Sequence, residues 1–265
     1  MRLRTALLGP KTPVTQEASG RVVLLEVPLT PLSLDTAVEE LATRIAGGQR
    51  GVVVFTPDAH ASALALLHRG RADLYREADL VLCDGAGLAW ASRLLGHPVP
   101  RAPGVDVAWD LCRRAAELNW SVYLLGGRPG VAELAARQLQ KRMPGIRVTG
   151  AHHGYFTDAG PLDELSTLAP DLLLVGMGCP RQERWILENR RIGAGIAMGV
   201  GGALDFWAGS CPRAPLTLRR MGLEWAWRTL HQPLRVRRLW AVPFLLYQAG
   251  IGWLRLRTQS AHSPG

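Results

Sequence analysis

Asp84 stands at the end of an apolar run, Leu80-Val81-Leu82-Cys83, and Gly85-Ala86-Gly87 follows it. A carboxylate at such a point is partly desolvated, which raises its pKa and makes it a usable general base. The same position suits an aspartate that caps the next helix. From these residues alone both readings stand. Asp58 and Asp205, which follow the runs ending at Phe55 and Val200, carry the same two readings. Glycine recurs beside them. Gly126-Gly127-Arg128-Pro129-Gly130 follows one run, Gly176-Met177-Gly178-Cys179-Pro180-Arg181-Gln182-Glu183 another, and Gly201-Gly202-Ala203-Leu204-Asp205 a third. Glycine lets backbone approach a ligand closely, and a helix N-terminus beyond it offers N–H groups to phosphate. One such turn is explained by sterics. Their repetition points to a phosphate-bearing ligand, with Gly126, Gly127, Gly178, Gly201 and Gly202 as candidate contacts.

Other chemistries find less support. Cys83, Cys112, Cys179 and Cys211 form no CxxC pair, so neither a disulfide framework nor a cysteine zinc site is expected. That usage fits a reducing compartment. His152 and His153 are adjacent in a strand-like stretch, where side chains alternate between faces, so they are not expected to share a metal. No HExxH, DxD or Cys/His cluster occurs, and no metal or cofactor is expected. Trp90 and Trp109 fall in helical patterns and read as core.

These turns need a frame to hold them. Val22–Val27, Gly51–Phe55, Leu80–Cys83, Val122–Leu125, Ile146–Thr149, Leu172–Val175 and Gly195–Val200 read as strands. Helical spacing links them: Val38, Leu41, Ala42 and Ile45 share one face, and helices are predicted over Leu88–Leu95, Val131–Arg142 and Gln182–Arg190. Nearly all-apolar strands alternating with helices predict an α/β chain. Its core would be a Rossmann-like, mostly parallel sheet with helices on both faces. Ligands bind beyond the strand C-termini of such sheets.

Charge divides the chain. Residues 211–265 carry nine arginines against one acid, Glu224, which accounts for +8 of the formal net charge of +9. We therefore expect an α/β catalytic domain over 21–210 and a basic, Trp-rich helical appendage over 211–258. The run Leu239–Leu254 is uncharged and contains Pro243, Gly250 and Gly252. It is shorter than the ~20 residues a bilayer-spanning helix needs. Flanking arginines and internal tryptophans suit a segment lying in a membrane interface, drawn by anionic lipid. The N-terminal apolar patch is too short for a signal peptide and ends at Gly9-Pro10. A cytoplasmic protein peripheral to the inner face of the plasma membrane is expected.

In this order, Thr56-Pro57-Asp58, Asp84-Gly85-Ala86-Gly87, Arg101-Ala102-Pro103-Gly104, Leu124-Leu125-Gly126-Gly127 and His153-Gly154-Tyr155-Phe156 resemble motifs of the WecG/TagA/CpsF glycosyltransferases. So do Gly176–Glu183, Val200–Asp205, Arg213-Ala214-Pro215 and Gly222-Leu223-Glu224-Trp225-Ala226-Trp227-Arg228. The resemblance implies inverting, metal-independent transfer from a UDP-sugar, N-acetylmannosamine or a related hexose, to N-acetylglucosamine on undecaprenyl diphosphate. It implies Asp84 as base, Thr56, Arg101 and Gln182 as pocket residues, and Asp205 as a nucleotide or pocket contact. Arg228, Arg235 and Arg238 would reach the diphosphate from the appendage. The family often has Asn where this chain has Asp58, so donor preference stays open, and a UDP-glucose or uronic-acid transferase is the alternative. Homo-oligomerisation also stays open.

Two other classes fit less well. A nicotinamide dehydrogenase would carry GxGxxG, which Gly126–Gly130 is not, and an acid ending the next strand, which Ile146–Thr149 lacks. A nucleic-acid binder could use the basic tail, but it would leave the glycine turns unexplained, so no nucleic-acid partner is expected.

Overall fold

The chain opens with a small antiparallel sheet of β1 (Val14–Gln16), β2 (Val22–Leu24) and β3 (Val27–Leu29). Val22–Val27 is thus not the single strand expected. The chain reverses at Leu25-Glu26, whose φ angles of 47° and 73° are both left-handed. Left-handed backbone is unfavourable for Leu, but here the Leu25 side chain is fully buried, and that burial offsets the strain. No Asn-Gly or Asp-Gly marks the turn, which is why spacing alone runs past it.

The main sheet has six parallel strands: β4 (Val52–Phe55), β5 (Leu80–Val81), β6 (Ser121–Gly126), β7 (Arg147–His152), β8 (Leu172–Gly176) and β9 (Ile196–Gly199). Their order is β5-β4-β9-β8-β6-β7. Side chains alternate between two separate cores. Val53, Phe55, Leu125, Leu173 and Val175 enter one; Val54, Leu124, Leu172, Leu174 and Met198 enter the other. Both faces are covered, so the central strands β4, β9 and β8 carry no polar side chain, whereas edge strand β7 carries Arg147, Thr149 and His152. Helices Ala59–Leu67, Arg69–Arg76, Ala86–Leu94 and Arg181–Glu188 cover the first face. Leu34–Ala46, Gly104–Leu118, Val131–Arg142 and Ala203–Trp207 cover the second.

This arrangement opens a site. The chain leaves β4 and β8 toward one face and leaves neighbouring β9 and β6 toward the other. The turns after these strands therefore diverge, and a crevice runs along the carboxyl edge of the sheet.

The structure is a computed structural model describing residue 10 and residues 12–231 and 233–260, the side chains of 69, 220, 228, 233–235, 259 and 260 lying outside the described residues. The basic C-terminal segment forms short helices Leu216–Arg220 and Glu224–His231, a 3-10 turn Pro233–Arg238, and the long helix Ala241–Ser260. The run expected to lie in a membrane interface buries one side on the body. Ala241, Leu245 and Ala249 are fully buried in the first core. Gly252 packs where an added Cβ would strike Pro13. The opposite side exposes Trp240, Tyr247 and Leu254. Among the described residues no helix is long and apolar enough to cross a membrane.

Candidate active site

Two cavities meet at the carboxyl edge. The larger, about 780 Å³, is bounded by the turns after β4, β6, β8 and β9. The smaller, about 120 Å³, lies under the C-terminal segment, against Phe206, Trp225, Leu239 and Val242. Asp58, His60, Asp84, Val200 and Arg238 line both. The sequence-chosen carboxylates Asp58 and Asp84 thus sit at the junction. Gly85 eases this: a Cβ there would lie 3.0 Å from the Ala59 nitrogen, a tight contact between the two aspartate-bearing turns.

Asp84 stands one residue before Gly85, the N-cap of the helix that follows it. Asp84 Oδ1 accepts from the Gly104 N–H at 3.2 Å, at the start of helix Gly104–Leu118. Positive helix-end potential thus falls on this carboxylate. The neighbouring Cys83 thiol is pushed up to about 12 by burial first and by Asp84 second, so it stays protonated and inert. Asp58 does act as a cap, its Oδ1 accepting from Ala61 N at 2.8 Å. Asparagine would make the same bond through its amide oxygen, so the cap does not require the charge.

Other chosen residues bind protein rather than face the cavity freely. Thr56 donates through Oγ1 to the Gly199 carbonyl at 3.0 Å, beside Gly104. Arg101 donates to the Asp84 carbonyl at 3.0 Å and to the Arg219 carbonyl at 2.9 Å. Buried Gln182 accepts through Oε1 from Gly178 N and Gly201 N, both at 3.1 Å. Gly127 N donates to the Gly176 carbonyl at 3.0 Å. The amides of Gly127, Gly178 and Gly201 are thus already bonded within the protein. What they provide is close approach. Gly126 adopts φ 145°, and a Cβ there would overlap the Gly176 carbonyl. Gly202 and Asp205 line the larger cavity. Arg238 reaches both cavities; the side chains of Arg228 and Arg235 lie outside the described residues.

Several lining residues were not singled out from sequence. Arg128 brings a cation to the turn after β6, and His60 lies two residues beyond Asp58. Glu183 is 2% exposed, its Oε1 accepts from Gln182 Nε2 at 3.0 Å, and its Oε2 has no hydrogen-bond partner among the described residues. Burial, with a smaller push from Asp58, raises this carboxyl to about 7. The Cys179 thiol, beside it and 3.5 Å from the Tyr75 hydroxyl, is raised by burial to about 12. Adjacency to Gln182 was the available signal for Glu183, but adjacency does not reveal burial. His152 and His153 also depart from expectation. β7 ends at His152, and the rings lie 4.4 Å apart instead of on opposite faces.

A carboxylate shared by two adjoining cavities suits the joining of two substrates. The glycosyl transferase WecG/TagA/CpsF family model matches residues 22–259. This chain belongs to that family. N-acetylglucosaminyldiphosphoundecaprenol N-acetyl-beta-D-mannosaminyltransferase of Staphylococcus aureus strain MW2 is 32% identical over 236 residues, covering 87% of this chain and 92% of the relative. The proteins of the same description in strains NCTC 8325 and COL match at the same identity and coverage. As a WecG/TagA/CpsF glycosyltransferase, the chain catalyses hexosyl transfer, which sets aside the dehydrogenase and nucleic-acid readings. The match extends through the C-terminal segment, so helix Ala241–Ser260 belongs to the shared architecture.

Proposed function

We propose that this glycosyltransferase moves N-acetylmannosamine, or a related hexose, from a UDP-linked donor to N-acetylglucosamine on undecaprenyl diphosphate, without a metal. The observation that carries the reading is the position of Asp84 where the two cavities meet. The larger cavity takes the nucleotide-sugar. The smaller takes the acceptor sugar, its lipid leaving past the apolar side chains of the C-terminal segment. The acceptor named for the staphylococcal relatives supports this assignment. Asp84 takes the proton of the acceptor hydroxyl as that oxygen attacks the anomeric carbon from the face opposite the leaving group, which inverts configuration. UDP departs with negative charge, which Arg128 and Arg238 meet, joined in this reading by Arg228 and Arg235.

The acceptor is lipid-linked, so the reading places the protein at the inner face of the plasma membrane. Trp240, Tyr247 and Leu254 are exposed there alongside arginines of the same segment. The test is to incubate the protein with a panel of UDP-sugars and a short-chain N-acetylglucosaminyl-diphosphate lipid, with and without EDTA, and to weigh the product. A disaccharide lipid formed from UDP-N-acetylmannosamine, undiminished by EDTA, is expected. Transfer from another donor would reassign the sugar, loss with EDTA would overturn metal independence, and no transfer from any UDP-sugar would overturn the donor class.

A further inference from the structure

We propose that Arg101 is a positioning residue, not a substrate contact, and that with Glu224 it makes the placement of Asp84 conditional on the seating of the C-terminal segment. The proposal rests on Asp84 being the base. One guanidinium spans the two parts of the molecule. Arg101 Nε donates to the Asp84 carbonyl at 3.0 Å and Nη1 to the Arg219 carbonyl at 2.9 Å, while Nη2 lies 3.9 Å from the Glu224 carboxylate. Asp84 is therefore held from one side by an arginine that two groups of the C-terminal segment hold in turn.

A second arm reaches the same place from the other side. Asp84 Oδ1 accepts from Gly104 N at 3.2 Å, and Gly104 opens the helix whose first turn carries Asp106. Asp106 pairs with Arg213 at 2.6 Å and Arg219 at 3.9 Å, and Arg213 lies 3.6 Å from Glu224. Backbone and carboxylate of Asp84 thus both connect to the C-terminal segment, the first through the Arg219 carbonyl and the second through Arg213 and Arg219, and Glu224, the single acid of that segment, lies against an arginine of each arm. Its side chain is 12% exposed, and those of Arg101, Arg213 and Asp106 are 25–28% exposed. These pairs are screened less than ordinary surface pairs, and removing one partner strands the others. Seating is close as well: Gly222 packs where a Cβ would overlap that of Ala86.

When the segment is seated, Arg238 lines both cavities and Arg101 has all three partners. When it is displaced, Arg101 loses the Arg219 carbonyl and Glu224 together, and the backbone of the base loses its anchor. Base and leaving-group arginine are then assembled by one event.

The test uses the full chain with anionic vesicles carrying the lipid-linked acceptor, and compares Arg101→Lys, Glu224→Gln and the double variant. Lysine keeps the charge but cannot span three partners. Each single change should lower kcat, by about 10²-fold for a misplaced base. UDP affinity, read by calorimetry, should stay within about twofold, and the double variant should be no slower than the slower single one. Glu224→Asp should recover part of the loss. If UDP affinity falls while kcat holds, Arg101 is a substrate contact and the proposal fails. If the two effects multiply, Arg101 and Glu224 act separately and it also fails. Hydrogen exchange supplies a readout that needs no turnover. Exchange over 84–104 should quicken in Glu224→Gln while the central strands are unchanged, and unaltered exchange there overturns the coupling. A wild-type chain that binds no UDP would instead overturn the donor reading and leave this exchange result standing. Should Glu224→Gln lose its thermal transition, Arg101→Lys carries the same comparisons.

Discussion

The carboxylates at the edge of the sheet are not equivalent, and their surroundings separate their roles. Asp84, shared by both cavities, is placed for the base that the proposed reaction needs. Asp84→Asn keeps the shape and one acceptor oxygen. It should lower transfer by at least about 10²-fold while leaving UDP binding intact; near-normal turnover would remove Asp84 from the chemistry. Glu183 is pushed toward its protonated form instead. Its carboxyl lies at about 7 in the folded chain against an ordinary 4.5. Between those values the unfolded chain binds fewer protons, so stability falls as pH rises. The stabilisation is complete below pH 4.5 and lost as pH passes 7. Glu183→Gln removes the titration, so its melting temperature should rise relative to wild type, by a few °C, between pH 5 and pH 8. A difference that does not change with pH would contradict the buried, protonated carboxyl. Asp84 and Asp58 were visible in sequence because polar residues end apolar runs. Glu183 was not, since nothing in Arg181-Gln182-Glu183 says which side chain turns inward.

At the scale of elements, apolar runs located the strands of the main sheet because two covered faces leave few polar positions. Their ends were less legible. Cys83 looked like strand and lies beyond β5, while β7 runs on to His152. Ala59–Leu67 was missed because it is apolar almost all round and shows no stripe. The Leu25-Glu26 reversal was missed because the burial that permits it comes from tertiary packing. The glycine turns were found, yet for a partly different purpose: they let strand ends crowd together, and Gln182 takes the amides expected to meet phosphate. Gly126→Ala tests the crowding. It adds a Cβ at a left-handed backbone against the Gly176 carbonyl, and should cost about 2–4 kcal/mol in chemical denaturation. A loss under about 0.5 kcal/mol, the range of ordinary surface changes, would mean the turn relaxes freely.

At the scale of the molecule, the charge asymmetry pointed to the C-terminal segment but not to how it sits. Its long helix faces the core on one side and exposes Tyr247 and Leu254 on the other. Tyr247→Glu with Leu254→Glu should weaken sedimentation with anionic vesicles several-fold and leave the melting temperature within about 2 °C. Unchanged sedimentation would place the membrane contact elsewhere. The buried side has a consequence for how the protein is made. This helix leaves the ribosome after every strand of the main sheet, yet Ala241, Leu245 and Ala249 fill the core beside the site. Before it emerges, the sheet can assemble but the cover over Asp84 cannot. Until then the nascent chain carries an open apolar seat where Ala241, Leu245 and Ala249 belong.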